Sequence, residues 1–224
     1  TVDSTVYADA GLDKQVCIDS GQVQIDGLPI TGTWSGLGIS TSGLYPISVI
    51  DTFSFVFSYG QGNCLTHDTM ELIVNPLPVV DAGNSFAVCV DDTIQELIGS
   101  PLNGSWSGVG VIDSIGRFSP DLAGVGVHTL TYYYMDSNSC DQIDTMQITV
   151  NGLPVLDAGI DTNICDQAIS VPFSALPVGG YWSGVGIDSL GEFMPFNVGV
   201  YDVYYHYTDV NGCYNEDTLA ITVD

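Results

Sequence analysis

The amino-acid sequence repeats one pattern three times, and this repetition limits the folds that the chain can adopt. Asp-Ala-Gly occurs at 9–11, 81–83 and 157–159, and Trp-Ser-Gly occurs at 34–36, 106–108 and 182–184. The three tryptophans are 72 and then 76 residues apart. A pattern that recurs at a fixed period is the signature of a structural unit. We therefore predict three domains, called repeat 1 (1–76), repeat 2 (77–152) and repeat 3 (153–224).

Within each repeat the apolar residues alternate with polar or smaller ones. Phe53, Phe55 and Phe57 are separated by single residues, as are Leu130 and Tyr132. This period of two predicts half-buried strands, and turn residues recur between them. Several short strands in about 75 residues are typical of an antiparallel β-sandwich. The prediction is an all-β chain of three sandwiches. Short proline-containing linkers at 75–78 and 151–154 predict that they are arranged end to end.

Charge excludes two classes of partner. The chain of 224 residues has 27 acidic residues against Lys14 and Arg117, which gives a formal net charge of −25. Nucleic-acid backbones and anionic lipid require clustered basic residues, so we expect neither nucleic-acid binding nor docking on such membranes. No apolar run approaches the ~20 residues of a membrane span, so direct membrane insertion is not expected.

Six cysteines indicate an oxidising, extracellular location, because structural disulfides persist there. Two pairing schemes respect the repeat. Pairing within each repeat gives Cys17–Cys64, Cys89–Cys140 and Cys165–Cys213, whereas pairing between repeats gives Cys64–Cys89 and Cys140–Cys165 but leaves two cysteines over. We predict the first scheme. It closes loops of about 50 residues, each worth roughly 4 kcal/mol in the chain-entropy model.

The aromatic residues have two interpretations. Each tryptophan follows a cysteine by 17 residues, and we interpret it as core rather than as a platform for sugar. Strand alternation places Tyr133, Tyr204 and His206 on the outer face, where tyrosine and histidine rings can stack on a sugar or a partner. These three residues are the candidate ligand-binding set.

Catalysis finds little support in the sequence. Gly104-Ser105-Trp106-Ser107-Gly108 has tryptophan where a nucleophile elbow has serine. With 27 acidic residues, a pair of carboxylates for glycoside hydrolysis stays an open alternative. An active site copied into three similar repeats is unusual, however. We predict that the chain is not an enzyme.

The acidic residues suggest one cofactor. Calcium binds six to eight oxygen ligands, which aspartate and asparagine supply. Asp81 and Asp157 follow the linkers, and the pairs Asp136 with Asn138 and Asp209 with Asn211 precede later cysteines. The alternative for all six residues is ordinary turn formation. Two alternatives therefore stay open: the chain has no cofactor, or it binds calcium at these six residues.

The motifs also resemble a known repeat type. In repeat 3 they are Gly-Tyr-Trp-Ser-Gly-Val-Gly at 180–186, Gly-Glu-Phe-Met-Pro at 191–195, Asp-Val-Asn-Gly-Cys at 209–213 and Asp-Thr at 217–218. This set resembles the immunoglobulin-like or PKD-like tandem repeats of giant surface adhesins in Bacteroidota, including gliding-motility adhesins exported by the type IX route. Repeat 1 departs from the pattern, because Gly60 stands where the others have aspartate.

The resemblance implies a non-catalytic, adhesive stalk segment at the cell surface. Its partners would be the neighbouring repeats, surface glycans or another cell-surface protein. Two alternatives stay open: an array of carbohydrate-binding modules, and an accessory region of a secreted hydrolase.

Overall fold

A computed structural model describes residues 6–224, so the first five residues of repeat 1 lie outside the described chain. Its residues group into two compact units. Among the described residues, one unit consists of 6–83, Ile98–Ser105 and Thr131–Thr145, and the other of Asn84–Leu97, Trp106–Leu130 and Met146–Asp224. Repeat 1 falls in the first unit and repeat 3 in the second, whereas repeat 2 is divided between them. The three-domain division stays a prediction.

The described part of repeat 1, residues 6–76, contains six strands and one turn of 3-10 helix. A four-stranded sheet has the order β1-β6-β5-β3, and a two-stranded sheet pairs β2 with β4. The strands are β1 (Lys14–Cys17), β2 (Gln22–Gln24), β3 (Thr33–Ser35), β4 (Leu44–Pro46), β5 (Thr52–Tyr59) and β6 (Thr66–Asn75), with the 3-10 helix at Gly62–Cys64.

Repeat 2 has the same strand orders, with β7-β12-β11-β9 in one sheet and β8 paired with β10 in the other. It adds one short helix, which Ser119 caps by accepting a hydrogen bond from the N–H of Leu122. The elements are β7 (Phe86–Cys89), β8 (Gln95–Glu96), β9 (Ser105–Ser107), β10 (Arg117–Phe118), α1 (Pro120–Ala123), β11 (Gly126–Met135) and β12 (Asp141–Asn151).

Repeat 3 repeats the arrangement again, with β13-β18-β17-β15 in the larger sheet and β14 paired with β16. The strands are β13 (Thr162–Ile164), β14 (Val171–Pro172), β15 (Tyr181–Gly184), β16 (Glu192–Phe193), β17 (Gly199–Thr208) and β18 (Tyr214–Val223).

The strand order is that of an immunoglobulin-like sandwich, and the all-β prediction is confirmed. One feature goes beyond the predicted antiparallel pattern: the first strand of each repeat runs parallel to the last, as β1 does with β6. No short hairpin joins these two strands, so their pairing cannot be predicted from the turn residues. No helix in the described part of the chain is long and apolar enough to cross a membrane.

The core confirms the interpretation of the tryptophans. Trp34, Trp106 and Trp182 are 3%, 4% and 5% exposed, each on the third strand of its repeat. In repeat 1, Trp34 lies 5.0 Å from Phe57 between ring centroids, and in repeat 3, Trp182 lies 5.2 Å from Tyr205. Burial of large aromatic rings supplies much of the hydrophobic stabilisation of domains this small.

Two of the shared motifs meet in each repeat, in a contact that we call the N-terminal clip. The aspartate of Asp-Thr, near the start of the last strand, accepts a hydrogen bond from the alanine N–H of Asp-Ala-Gly. The three clips are Ala10 to Asp68 (2.7 Å), Ala82 to Asp144 (2.8 Å) and Ala158 to Asp217 (2.8 Å). Backbone N–H donation lowers the pKa of a carboxyl, and the pKa of Asp144 is held below its ordinary value mainly by the Ala82 N–H.

Candidate functional site

The cysteines pair between consecutive repeats. Cys17 of repeat 1 is bonded to Cys140 of repeat 2, and Cys89 of repeat 2 is bonded to Cys213 of repeat 3, with Cα–Cα distances of 5.6 and 5.5 Å. Their sequence separations, 123 and 124 residues, are nearly equal. Cys64 and Cys165 are free and exposed. The predicted pairings Cys17–Cys64, Cys89–Cys140 and Cys165–Cys213 are therefore wrong, and so is the alternative scheme.

The physical reason lies in the parallel pairing of the first and last strands. Cys17 is opposite Asn75, at the end of β6, whereas Cys64 lies just before Thr66, where β6 begins. Nine residue steps at about 3.3 Å separate Thr66 from Asn75, or roughly 30 Å. Disulfides need Cα atoms within about 4.4–6.8 Å, so the two cysteines of one repeat cannot meet.

The two positions define two kinds of cysteine. We call Cys17, Cys89 and Cys165 the first-strand cysteines, because they end or directly follow the first strand of a repeat. We call Cys64, Cys140 and Cys213 the turn cysteines, because they end the turn before the last strand. Each observed disulfide joins a first-strand cysteine to the turn cysteine of the following repeat. Both disulfides thus run in the same direction, from the first strand of one repeat to the turn of the repeat that follows it in the sequence.

The turn cysteines of repeats 2 and 3 are held by aspartate. Asp136 Oδ1 accepts hydrogen bonds from the N–H of Asn138 (2.8 Å) and of Cys140 (2.9 Å). Asp209 Oδ1 accepts in the same way from Asn211 (2.8 Å) and Cys213 (2.9 Å). The Cys213 N–H is the main cause of a lowered pKa at Asp209. These aspartates shape the turn that presents the sulfur.

The same contacts bear on the predicted calcium ligands. Asp81 and Asp157 use Oδ1 to accept from the N–H of Gly83 (2.8 Å) and Gly159 (2.9 Å), as turn-forming aspartates do. All four predicted aspartates thus direct one oxygen at backbone N–H groups. The calcium assignment stays a prediction, and turn formation is the role that the contacts show.

A different group of possible metal ligands lies close together in repeat 2. Within residues 6–224, the one set of three acidic, histidine or cysteine ligand atoms lying within 4.8 Å of one another belongs to Cys89, Asp91 and Asp92. The Cys89 sulfur is in a disulfide, and Asp92 Oδ2 already accepts the Cys89 N–H at 2.7 Å. Calcium requires six to eight oxygens, so this set does not fit the ion.

An aromatic column crosses the sheet of repeat 3; it consists of Tyr181, His206 and Tyr214. The His206 ring stacks on Tyr181 at 4.6 Å and 22°, and on Tyr214 at 6.0 Å and 19°. Tyr181 is directly opposite His206, which is opposite Glu216 on the next strand. Cross-strand neighbours on one face lie within contact distance. Tyr181 and Tyr214 are exposed, whereas the His206 side chain is only 12% exposed.

Hydrogen bonds fix the column in place. His206 Nε2 lies 2.6 Å from Ser183 Oγ, and His206 Nδ1 lies 2.7 Å from the Tyr214 hydroxyl. The Tyr214 hydroxyl donates to Glu216 Oε2 at 2.7 Å. This last bond is the main reason that the pKa of Tyr214 is raised to about 12. Because the one Tyr214 hydroxyl hydrogen is donated to Glu216, His206 Nδ1–H is the donor in the contact with the Tyr214 oxygen.

The predicted ligand-binding residues are distributed as follows. Tyr133 and Tyr204 are exposed on β11 and β17, as the alternation predicted. His206 shares the outer face with Tyr204, at 6.5 Å between ring centroids, but is largely covered. The sequence prediction missed the covering rings of Tyr181 and Tyr214. The inward position of Trp182 implies an outward Tyr181, whereas the place of Tyr214 depends on the hairpin register.

The serine–histidine contact does not make a nucleophilic site by itself. Such a site also needs hydrogen-bond donors aimed at a developing oxyanion. Ser183 lies within β15, opposite Tyr204, and not at a strand-to-helix turn. The contact is part of a network of side-chain hydrogen bonds on the sheet surface, formed by Ser183, His206, Tyr214 and Glu216.

Comparisons with known proteins give weak whole-chain similarity. No protein-family model matches the chain, and no curated protein matches it. Among solved structures, a mutated variant of titin domains I67–I69 is 13% identical, with 95% of this chain and 96% of that chain covered and a TM-score of 0.43. A Ca²⁺-stabilised adhesin with which an Antarctic bacterium binds ice is 15% identical (97% and 73% covered, TM-score 0.41). Mouse protocadherin-24 EC1-3 is 12% identical (95% and 96%, 0.34). The fold assignment therefore rests on the strand order.

Proposed function

We propose that the chain is a non-catalytic, structural and adhesive segment of a secreted cell-surface protein, built from three consecutive immunoglobulin-like domains. The observation that carries this proposal is the pair of disulfides that join consecutive repeats. A disulfide inside a domain stabilises that domain, whereas one between domains also fixes how a neighbour is attached. Such bonds suit a structural protein that must keep its consecutive domains firmly attached to one another.

Composition supports the same role. The disulfides favour an oxidising, extracellular location. The net charge of −25 gives a repelling, well-solvated surface that keeps neighbouring molecules apart. Within this proposal the motif resemblance favours a large Bacteroidota adhesin of the gliding-motility type, with the neighbouring repeats as the nearest partners.

A second candidate function is carbohydrate binding, and the aromatic column favours it. Tyr181 exposes about half of its surface on the same outer sheet face as Tyr204. Sugar rings stack on exposed aromatic faces, and Ser183 and Glu216 would add polar contacts. This function would concern repeat 3 in particular. An accessory role beside a hydrolase would use the same surface.

A cell-adhesion assay with two variants separates the candidates. Substituting Cys17, Cys89, Cys140 and Cys213 with serine removes both inter-repeat bonds, and we expect loss of surface presentation and of adhesion. The matched variant, Tyr181→Ala with Tyr204→Ala, keeps the disulfides, and we expect normal adhesion. The opposite pattern, adhesion retained without disulfides and lost without the tyrosines, would overturn the structural proposal in favour of sugar binding.

A further inference from the structure

We propose that Cys165 and Cys64 are the two complementary ends of the disulfide series, and that Cys165 forms a disulfide with the turn cysteine of another repeat of this type, such as Cys64 of a second copy of the chain. The inference deepens the linking role proposed above. Cys165 is a first-strand cysteine and Cys64 is a turn cysteine, which is the combination found in both observed disulfides.

The backbone around Cys165 is the same as at the paired first-strand cysteines. Its carbonyl accepts a hydrogen bond from the N–H three residues later, at 3.1 Å to Ala168, as Cys17 and Cys89 do at 3.0 and 3.1 Å. The N–H of the next residue, Asp166, donates to the carbonyl of Asp224, which directly follows the last strand. Ile18 and Val90 make the equivalent bonds, to Asn75 and Asn151. The backbone hydrogen bonds around Cys165 therefore match those around the two paired first-strand cysteines.

Burial gives a second, independent observation. Among the paired cysteines, Cys140 and Cys213 are fully buried, Cys89 is 8% exposed and Cys17 is half-buried. Cys64 and Cys165 occupy the corresponding positions in their repeats, yet both are exposed. The burial of these positions thus accompanies pairing with another repeat. Each exposed cysteine is one half of a junction whose other half is a cysteine of the opposite kind.

Cys64 has a looser turn than its counterparts. Gly60 replaces the aspartate that binds the cysteine N–H in repeats 2 and 3. The Cys64 N–H instead bonds the Gln61 carbonyl at 3.1 Å, within the 3-10 helix. We therefore expect Cys64 to react more slowly than a turn cysteine held by aspartate, with the same choice of partner.

The chemistry needs an oxidant, which a small disulfide such as oxidised glutathione supplies. One protein thiolate attacks the small disulfide, forms a mixed disulfide and releases one glutathione thiolate. The second protein thiolate then attacks the protein sulfur of that mixed disulfide and releases the second glutathione. Two protein thiols become one disulfide, and one oxidised glutathione becomes two reduced molecules.

Mixing two variants that each keep one free thiol tests the choice of partner. Cys64→Ser leaves Cys165 as the free thiol, and Cys165→Ser leaves Cys64. The two full-length variants, distinguished by mass labels, are mixed with oxidised glutathione in about 0.5 M salt, where charges are screened beyond roughly 4 Å. We expect Cys165–Cys64 heterodimers in about tenfold excess over either homodimer, whereas random pairing of equimolar thiols gives only about a twofold excess. Homodimers at the statistical proportion, or no dimer, would overturn pairing between copies.

A lengthened chain tests whether Cys165 pairs with the following repeat of its own chain rather than with a second copy. Residues 76–151 are appended after Asp224, which places a copied Cys140 one repeat beyond Cys165. Peptide mapping without reduction should then show Cys165 bonded to the copied Cys140 within one molecule, and the copied Cys89 as a free thiol. A reactive Cys165 in that chain would contradict the inference. Neither result depends on adhesion, so failure here leaves the proposed function to its own assay.

Discussion

Single residues of the shared motifs have structural roles that explain their recurrence. The glycine of Gly-Glu-Phe-Met-Pro, Gly191, has φ of +94° and lies against the core. A Cβ atom there would be 2.6 Å from the Phe173 carbonyl oxygen and 2.9 Å from Trp182 Nε1. Position 191 therefore needs glycine both for its backbone conformation and for space.

A pair of glycine variants separates these two requirements. Gly212 has φ of +87°, but nothing lies within 4 Å of its added Cβ. We expect Gly212→Ala to lower the free energy of unfolding by about 1–2 kcal/mol, the cost of the left-handed conformation. Gly191→Ala should lower it by about 1–3 kcal/mol more because of the clash. Urea unfolding measures both, and equal effects would show that space is not limiting at Gly191.

At the scale of elements, the N-terminal clip couples the start of each repeat to its last strand and responds to pH. The pKa of Asp144 is lowered from its ordinary value of 3.8 by the Ala82 N–H. A lowered folded pKa gives stability that is fully present above the unfolded value. That stability is lost as pH falls through the folded value.

Asn at position 144 tests this coupling. Asp144→Asn keeps an oxygen acceptor but cannot be protonated, so we expect a smaller loss of stability with acid than in the unchanged chain. The measurement is the urea midpoint between about pH 6 and pH 2. Asp202→Asn removes an equal charge from an exposed position in β17 and serves as the control. An unchanged acid profile for Asp144→Asn would refute the role of the clip.

The sequence predicted the individual strands better than it predicted how the strands pair. Strand alternation predicted the buried Phe55 and Phe57 and the exposed Tyr133, because each strand carries its own pattern. The pairing of β1 with β6 depends on residues 58 positions apart, since Lys14 lies opposite Leu72, and no local pattern encodes it. The disulfide prediction failed for that reason. The aromatic column was found only in part, because its register joins three strands.

At the scale of the whole molecule, the two disulfides shorten the covalent path through the chain. From Cys17 to Cys213 the backbone runs through 196 residue steps. The bonds Cys17–Cys140 and Cys89–Cys213 leave only the 51 steps between Cys89 and Cys140. At about 3.5 Å per residue, full extension of this part falls from roughly 690 Å to roughly 180 Å.

Pulling on the two termini of single molecules measures this path. We expect Cys89→Ser to lengthen the fully extended chain, because the path then follows the 73 steps from Cys140 to Cys213. At about 3.5 Å per step the gain is roughly 80 Å. Cys165→Ser should change nothing. A longer chain with Cys165→Ser would indicate pairing within repeats, and equal lengths for all variants would indicate no disulfides.

The two cross-links also overlap along the sequence. Cys17–Cys140 spans the linker at 75–78, Cys89–Cys213 spans the linker at 151–154, and together they span every peptide bond from Cys17 to Cys213. A protease that cuts one loop anywhere in this range would therefore leave both fragments covalently attached. The molecule can be nicked without being severed, which suits a protein exposed to the enzymes of its surroundings.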